Sequence, residues 1–211
     1  LKRDGLDQNT TIVLMSDNGG YPFVRDPNAM RGQKSQLYEG GIRVPMVWLV
    51  PGNRAGGISD EAVSGIDIYP TIAALAKIDT SQLVLDGKDI ERLFFAPSQA
   101  LPSRDLFWYL PGYTTDSVED PDDEKGHLQI KPQAGFTQIP AVAMRRGNWK
   151  LIWYYDGTPA ELYNILLDPL EKYNQILVEK KRAADMLQAL RQWLTATGGA
   201  EQLPANPAYQ Q

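Results

Sequence analysis

The chain has 211 residues, with 21 Lys and Arg against 26 Asp and Glu, a formal net charge of −5, and 43% hydrophobic residues. That is apolar material enough for one large domain or a medium one plus a small one, and the mild acidity argues against nucleic acid or an anionic membrane as the main partner. There is no cysteine and His127 is the one histidine, which excludes disulfides, a thiolate nucleophile, Cys-ligated zinc and a His-rich metal cluster.

The opening residues, Leu1-Lys2-Arg3-Asp4-Gly5-Leu6, hold no apolar secretory core and read as the tail of a surface helix, so the chain is expected to be a fragment or a truncated product. Residues 10–15 form a short, continuously apolar run that ends abruptly in Ser16-Asp17-Asn18-Gly19-Gly20. A run without alternation suits a strand covered on both faces, as in a parallel sheet. Residues 44–50 repeat the pattern and are closed by Pro51-Gly52; no apolar stretch approaches the length of a membrane span. The loop of about twenty residues between the two strands is longer than loop statistics favour without a functional reason. Residues 66–78, with Ile68, Ile72, Leu75 and Ala76 at helical spacing, predict a helix, and residues 89–95 a shorter one.

Beyond Pro97 the pattern changes. Residues 105–110, 141–146, 149–155 and 161–165 are short strand candidates separated by turn chemistry, and residues 112–138, which contain His127, read as a long surface loop. Residues 178–197 predict an amphipathic helix with Ala183, Met186, Leu187, Leu190, Trp193 and Leu194 on one stripe and Gly198-Gly199 as its stop. The expected organisation is an α/β part over residues 1–97, followed by a small antiparallel sheet with one packed helix over residues 98–211.

Two constellations carry candidate chemistry. Asp17 and Asn18 follow a buried strand at its carboxyl end, where open parallel sheets place ligands, and a carboxylate beside an amide carbonyl offers two hard oxygen donors suited to Ca²⁺ or Mg²⁺. The same residues are also ordinary turn chemistry. Lys34, in the glycine-flanked run from Arg31 to Pro45, can present a cation to an anionic substrate; its alternative is a solvated loop lysine.

Read together, Ser16 to Gly20, Lys34 with Tyr38-Glu39-Gly40-Gly41-Ile42-Arg43-Val44-Pro45, Gly65-Ile66-Asp67-Ile68-Tyr69-Pro70-Thr71-Ile72, Trp149-Lys150-Leu151-Ile152, Glu161-Leu162-Tyr163-Asn164, Asp168-Pro169 and Glu171-Lys172 resemble the arylsulfatase-type sulfatases of the alkaline phosphatase superfamily. The resemblance runs collinearly over almost the whole chain and implies the C-terminal two-fifths or so of such an enzyme, the C-terminal portion of an alkaline-phosphatase-like sandwich. It implies that Asp17 and Asn18 are ligands of the active-site divalent cation, usually Ca²⁺ with Mg²⁺ as the alternative, and that Lys34 contacts the sulfate group. It further implies a formylglycine nucleophile, made from Cys or Ser in a Cys/Ser-x-Pro/Ala-x-Arg motif of the N-terminal half; no serine of this chain stands in that pattern.

Glu39 and Arg43 are expected to be a structural ion pair, and Tyr109 stands where many relatives have a histidine. The substrate implied is a sulfated small molecule or glycan, and family membership implies a periplasmic or secreted setting. The competing readings are a phosphoryl-ester hydrolase of the same superfamily and a non-catalytic remnant or interaction module. Asn18 favours an oxygen-only ion over the histidine-bearing zinc sites of the phosphatases.

Overall fold

The computed structural model describes residues 1–20, 30–53, 56–112 and 139–199. The chain forms two compact units, one of residues 1–16 and 45–104, the other of residues 17–44 and 105–211. This grouping is not the sequential division expected at residue 97: the segment that carries Asp17, Asn18 and Lys34 belongs with the C-terminal sheet.

In the first unit, β1 (Ile12–Met15) and β2 (Met46–Leu49) pair antiparallel, with Val13 opposite Trp48 and Leu14 opposite Val47. The parallel pairing read from the unbroken apolar runs is therefore corrected, and so is the cover on both faces. Strand alternation sends Val13, Met15, Met46 and Trp48 to a half-buried face, where the Trp48 ring meets Phe94 at 5.0 Å. Ile12, Leu14, Val47 and Leu49 lie on the opposite, exposed face. Helix α2 (Ile68–Leu75) is shorter than the 66–78 expected. It is entered through a 3-10 turn closed by a Ser64–Asp67 capping box, and it ends where Lys77 turns left-handed at φ 56°. Helix α3 is a single turn, Arg92–Phe95.

Asp67 organises that unit. Its buried carboxylate accepts N–H bonds from Ser64 (2.8 Å) and Lys88 (2.9 Å) and pairs with Arg104, whose Nη1 lies 2.6 Å from Oδ1. Burial pushes the Asp67 pKa up, but these donors outweigh it and hold the carboxyl below its ordinary value.

The second unit is built on an antiparallel sheet in the order β3 (Asp105–Leu110), β4 (Ala141–Arg146), β5 (Trp149–Tyr154), β6 (Glu161–Asn164). All four strands fall within a residue of their expected bounds, because alternating apolar runs ended by turn residues are a strong local signal. Helix α4 (Lys180–Ala196) covers one face: Met186, Leu190 and Leu194 bury themselves on Val142, Met144, Leu151 and Leu162, and Trp193 stacks on Phe107 at 4.6 Å. The other face, with Ala141, Ala143, Ile152 and Tyr154, packs against Leu37, Tyr38 and Ile42. The segment bearing Lys34 is thus the second cover of this sheet, and its position is set by the sheet's own side chains.

Candidate active site

Residues 17–20 and 30–43 meet backbone to backbone. The Gly19 N–H donates to the Gly41 carbonyl at 2.9 Å, the Lys34 N–H to the Gly20 carbonyl at 2.9 Å, and the Gly40 N–H to the Arg31 carbonyl at 2.6 Å. Only glycine permits this approach: a Cβ on Gly19 would stand 1.9 Å from the Gly40 oxygen, and one on Gly41 2.0 Å from that of Gln36. The one helical turn α1 (Glu39–Ile42) sits in this crossing; with two glycines in four residues it is invisible to helix propensity. Asp17, Asn18 and Lys34, far apart in sequence, are brought onto adjoining backbone segments.

Lys34 is exposed, between Gly32 at φ 84° and Ser35 at φ 71°. Left-handed backbone at a serine costs energy that surrounding structure must over-determine, and such residues cluster at ligand clamps. Asp17 is exposed and its Oδ1 accepts the Asn18 N–H at 3.0 Å, which leaves lone pairs of the carboxylate for a cation. These two hard oxygens fit Ca²⁺ or Mg²⁺, yet they are a small part of the roughly six to eight donors Ca²⁺ takes. Among the described residues no group of three or more metal-binding side chains occurs.

Beneath this crossing lies a buried polar knot that sequence reasoning did not find. Lys150 of β5 has no exposure, and its Nζ lies 3.1 Å from Oε1 of Glu39 and 2.9 Å from Oε1 of Glu171. The other Glu171 oxygen accepts the Glu39 N–H at 2.6 Å. Glu39 therefore pairs chiefly with Lys150; the expected partner Arg43 is only at 3.9 Å, half-exposed. Burial pushes the Glu171 carboxyl above its ordinary value even though Lys150 pulls it down. Alongside, the Arg31 guanidinium lies over the Tyr38 ring at 3.8 Å and donates to the Tyr163 hydroxyl (2.9 Å) and the Glu171 carbonyl (2.8 Å). The Tyr38 and Tyr163 hydroxyls both donate to Glu161 Oε2 at 2.9 Å. Burial pushes the Tyr38 phenol up to about 12 and raises Tyr163 as well. Tyr109 lies on β3; His127 lies outside the described residues.

The fold has counterparts among solved structures. The solved structure of Ps i-CgsB matches with a TM-score of 0.68 and 27% identity over 92% of this chain and 38% of that one, and it has also been solved in complex with k-i-k-neocarrahexaose. Residues 1–78 match the family model described as Sulfatase. A sulfatase of Formosa agariphila is 30% identical over 206 residues, 92% of this chain and 34% of that protein. Human arylsulfatase A is 28% identical over 213 residues, 89% of this chain and 38% of that protein. The chain belongs to the sulfatase family, and it spans little more than a third of the length of these curated relatives.

Proposed function

We propose that these residues are the C-terminal portion of a sulfatase that hydrolyses sulfate esters with a formylglycine nucleophile and a divalent cation. The observation that supports the reading is the docking of residues 17–20 on residues 30–43, which brings the Asp17-Asn18 pair and the exposed Lys34 onto adjoining backbone segments. Asp17 and Asn18 would hold the cation with their side-chain oxygens. The cation supplies polarisation of a sulfate oxygen when bound. Lys34 would face the sulfuryl group, its side chain being exposed on this segment. Charge that accumulates on the sulfuryl oxygens as the ester bond breaks is stabilised by a cation already in place, without reorganisation. The nucleophile and the remaining ligands would come from sulfatase sequence that these residues do not contain.

A sulfated glycan or aryl sulfate is the substrate class that the relatives support, arylsulfatase A by its name and Ps i-CgsB by the oligosaccharide in its complex. Among the described residues no helix is long and apolar enough to cross a membrane. The test is the coding sequence upstream of Leu1: a Cys/Ser-x-Pro/Ala-x-Arg motif there supports the enzyme, and its absence returns these residues to a non-catalytic remnant.

A further inference from the structure

Glu171 holds both ends of the Lys34 segment, alongside Glu161, which meets Arg31 and Tyr38. Its main-chain carbonyl accepts Arg31 Nη1 at 2.8 Å, three residues before Lys34, and its carboxylate accepts the Glu39 N–H at 2.6 Å, five residues after it. The same carboxylate is anchored to the sheet through Lys150 Nζ at 2.9 Å. Two further facts say that this residue is there for its side chain. It is fully buried, and its backbone is left-handed at φ 51°, a conformation that a glycine would take without strain. A residue that served only to turn the chain would gain from being glycine; a carboxylate kept at such a position is kept for what it binds.

We propose that Glu171 is a positioning residue for Lys34: by clamping Arg31 and Glu39 onto the sheet it fixes the segment between them, and with it the height and direction from which the lysine reaches the sulfate ester. The inference rests on the role proposed for Lys34, but its structural content is separate from that role. Between the two clamps the segment has local bonds, Gln36 N–H to Gln33 carbonyl at 3.0 Å and Gly40 N–H to Arg31 carbonyl at 2.6 Å, rests on the sheet through Leu37 and through the Tyr38 hydroxyl on Glu161, and holds no element of regular structure other than the single turn α1. Removing the carboxylate releases the Glu39 N–H end of the segment and leaves the β3–β6 ladders and the α4 contact in place.

The test is amide hydrogen exchange on the 211-residue chain, comparing the parent with Glu171→Gly and Glu171→Gln. Glu171→Gly relieves the backbone and deletes the carboxylate. It is expected to speed exchange at Gly19, Lys34, Glu39 and Gly40 by about tenfold or more beyond any rise that β4, β5 and α4 amides share, since local openings exchange independently of global unfolding. Glu171→Gln, which keeps an acceptor for the Glu39 N–H, is expected to hold the Glu39 and Gly40 amides within about threefold of the parent. Unchanged exchange at Lys34 and Gly40 in Glu171→Gly overturns the proposal. So does an equal rise throughout β4, β5 and α4, or a Glu171→Gln protein as unprotected as Glu171→Gly. Because this readout needs no sulfate, a failed role for Lys34 would appear separately, as unimpaired turnover in Lys34→Ala with the exchange pattern intact.

Discussion

Replacing Lys150 by methionine keeps the length and volume of the side chain and removes the only ammonium between Glu39 and Glu171. Lys150 has no exposure, Glu39 has 2% and Glu171 none, so water cannot take over the role of the lost cation. Deleting one member of a buried ion pair costs about 3–5 kcal/mol, because a charge is left uncompensated. Here two carboxylates are left, and the upper part of that range is expected at pH 7. The sign of the pH dependence follows from the same geometry. Glu171 is already held above its ordinary value by burial, and loss of Lys150 removes the charge that pulls it back down. The folded variant then binds protons that the unfolded chain does not, so its stability rises as pH falls from above the folded pKa toward the unfolded carboxylate value near ~4.3. Urea titrations of parent and Lys150→Met at pH 7.5 and pH 5, followed by near-ultraviolet circular dichroism of the Trp149 and Trp153 region, measure this. A loss below about 1 kcal/mol at pH 7.5, or a deficit that grows toward pH 5, would refute the reasoning.

Leu190 is fully buried between α4 and the sheet, so Leu190→Ala is expected to cost roughly 2–5 kcal/mol in the same titration. Asp67, held below its ordinary value by Arg104 and two backbone donors, contributes stability that is present above the unfolded carboxylate pKa and lost as pH falls through its lowered folded value. Asp67→Asn should therefore be less stable at pH 7 by about 3–5 kcal/mol and lose less on acidification to pH 3 than the parent, as read by thermal melts across that range.

The second unit was legible in the sequence because its signals are local. Residues 105–110 and 141–146 carry apolar runs ended by turns, and the stripe from Ala183 to Leu194 has helical period; each element declares itself without its neighbours. The first unit was less so. The runs at 10–15 and 44–50 are apolar on both sides, a pattern that sets neither strand direction nor which face is covered, and the strands pair antiparallel with one face bare. At the site, Asp17, Asn18 and Lys34 could be named from motif and loop chemistry. Their meeting depends on glycine-to-glycine contacts that no periodicity reports. Lys150 and Glu171 escaped for a different reason. A lysine in a strand and a glutamate in a turn read as solvated residues, and only the tertiary fold, which draws Glu39 across 111 residues to Lys150, makes them a buried pair.

The most direct measurement is steady-state hydrolysis of a chromogenic aryl sulfate by the longer sulfatase of which these residues are proposed to be the C-terminal portion, compared with its Lys34→Ala variant and with the 211-residue chain alone. By analogy with other preorganised donors, Lys34→Ala should lower kcat by about 10²–10³, roughly 3–4 kcal/mol, with thermal stability unchanged because the exposed ammonium leaves little unsatisfied when removed. On the proposed mechanism the isolated chain, in which no serine stands in the nucleophile motif and no cysteine occurs, should turn over nothing. Near-normal kcat/KM in Lys34→Ala, or measurable turnover by the isolated chain, would contradict the assignment of this crossing as the sulfate-facing part of a sulfatase.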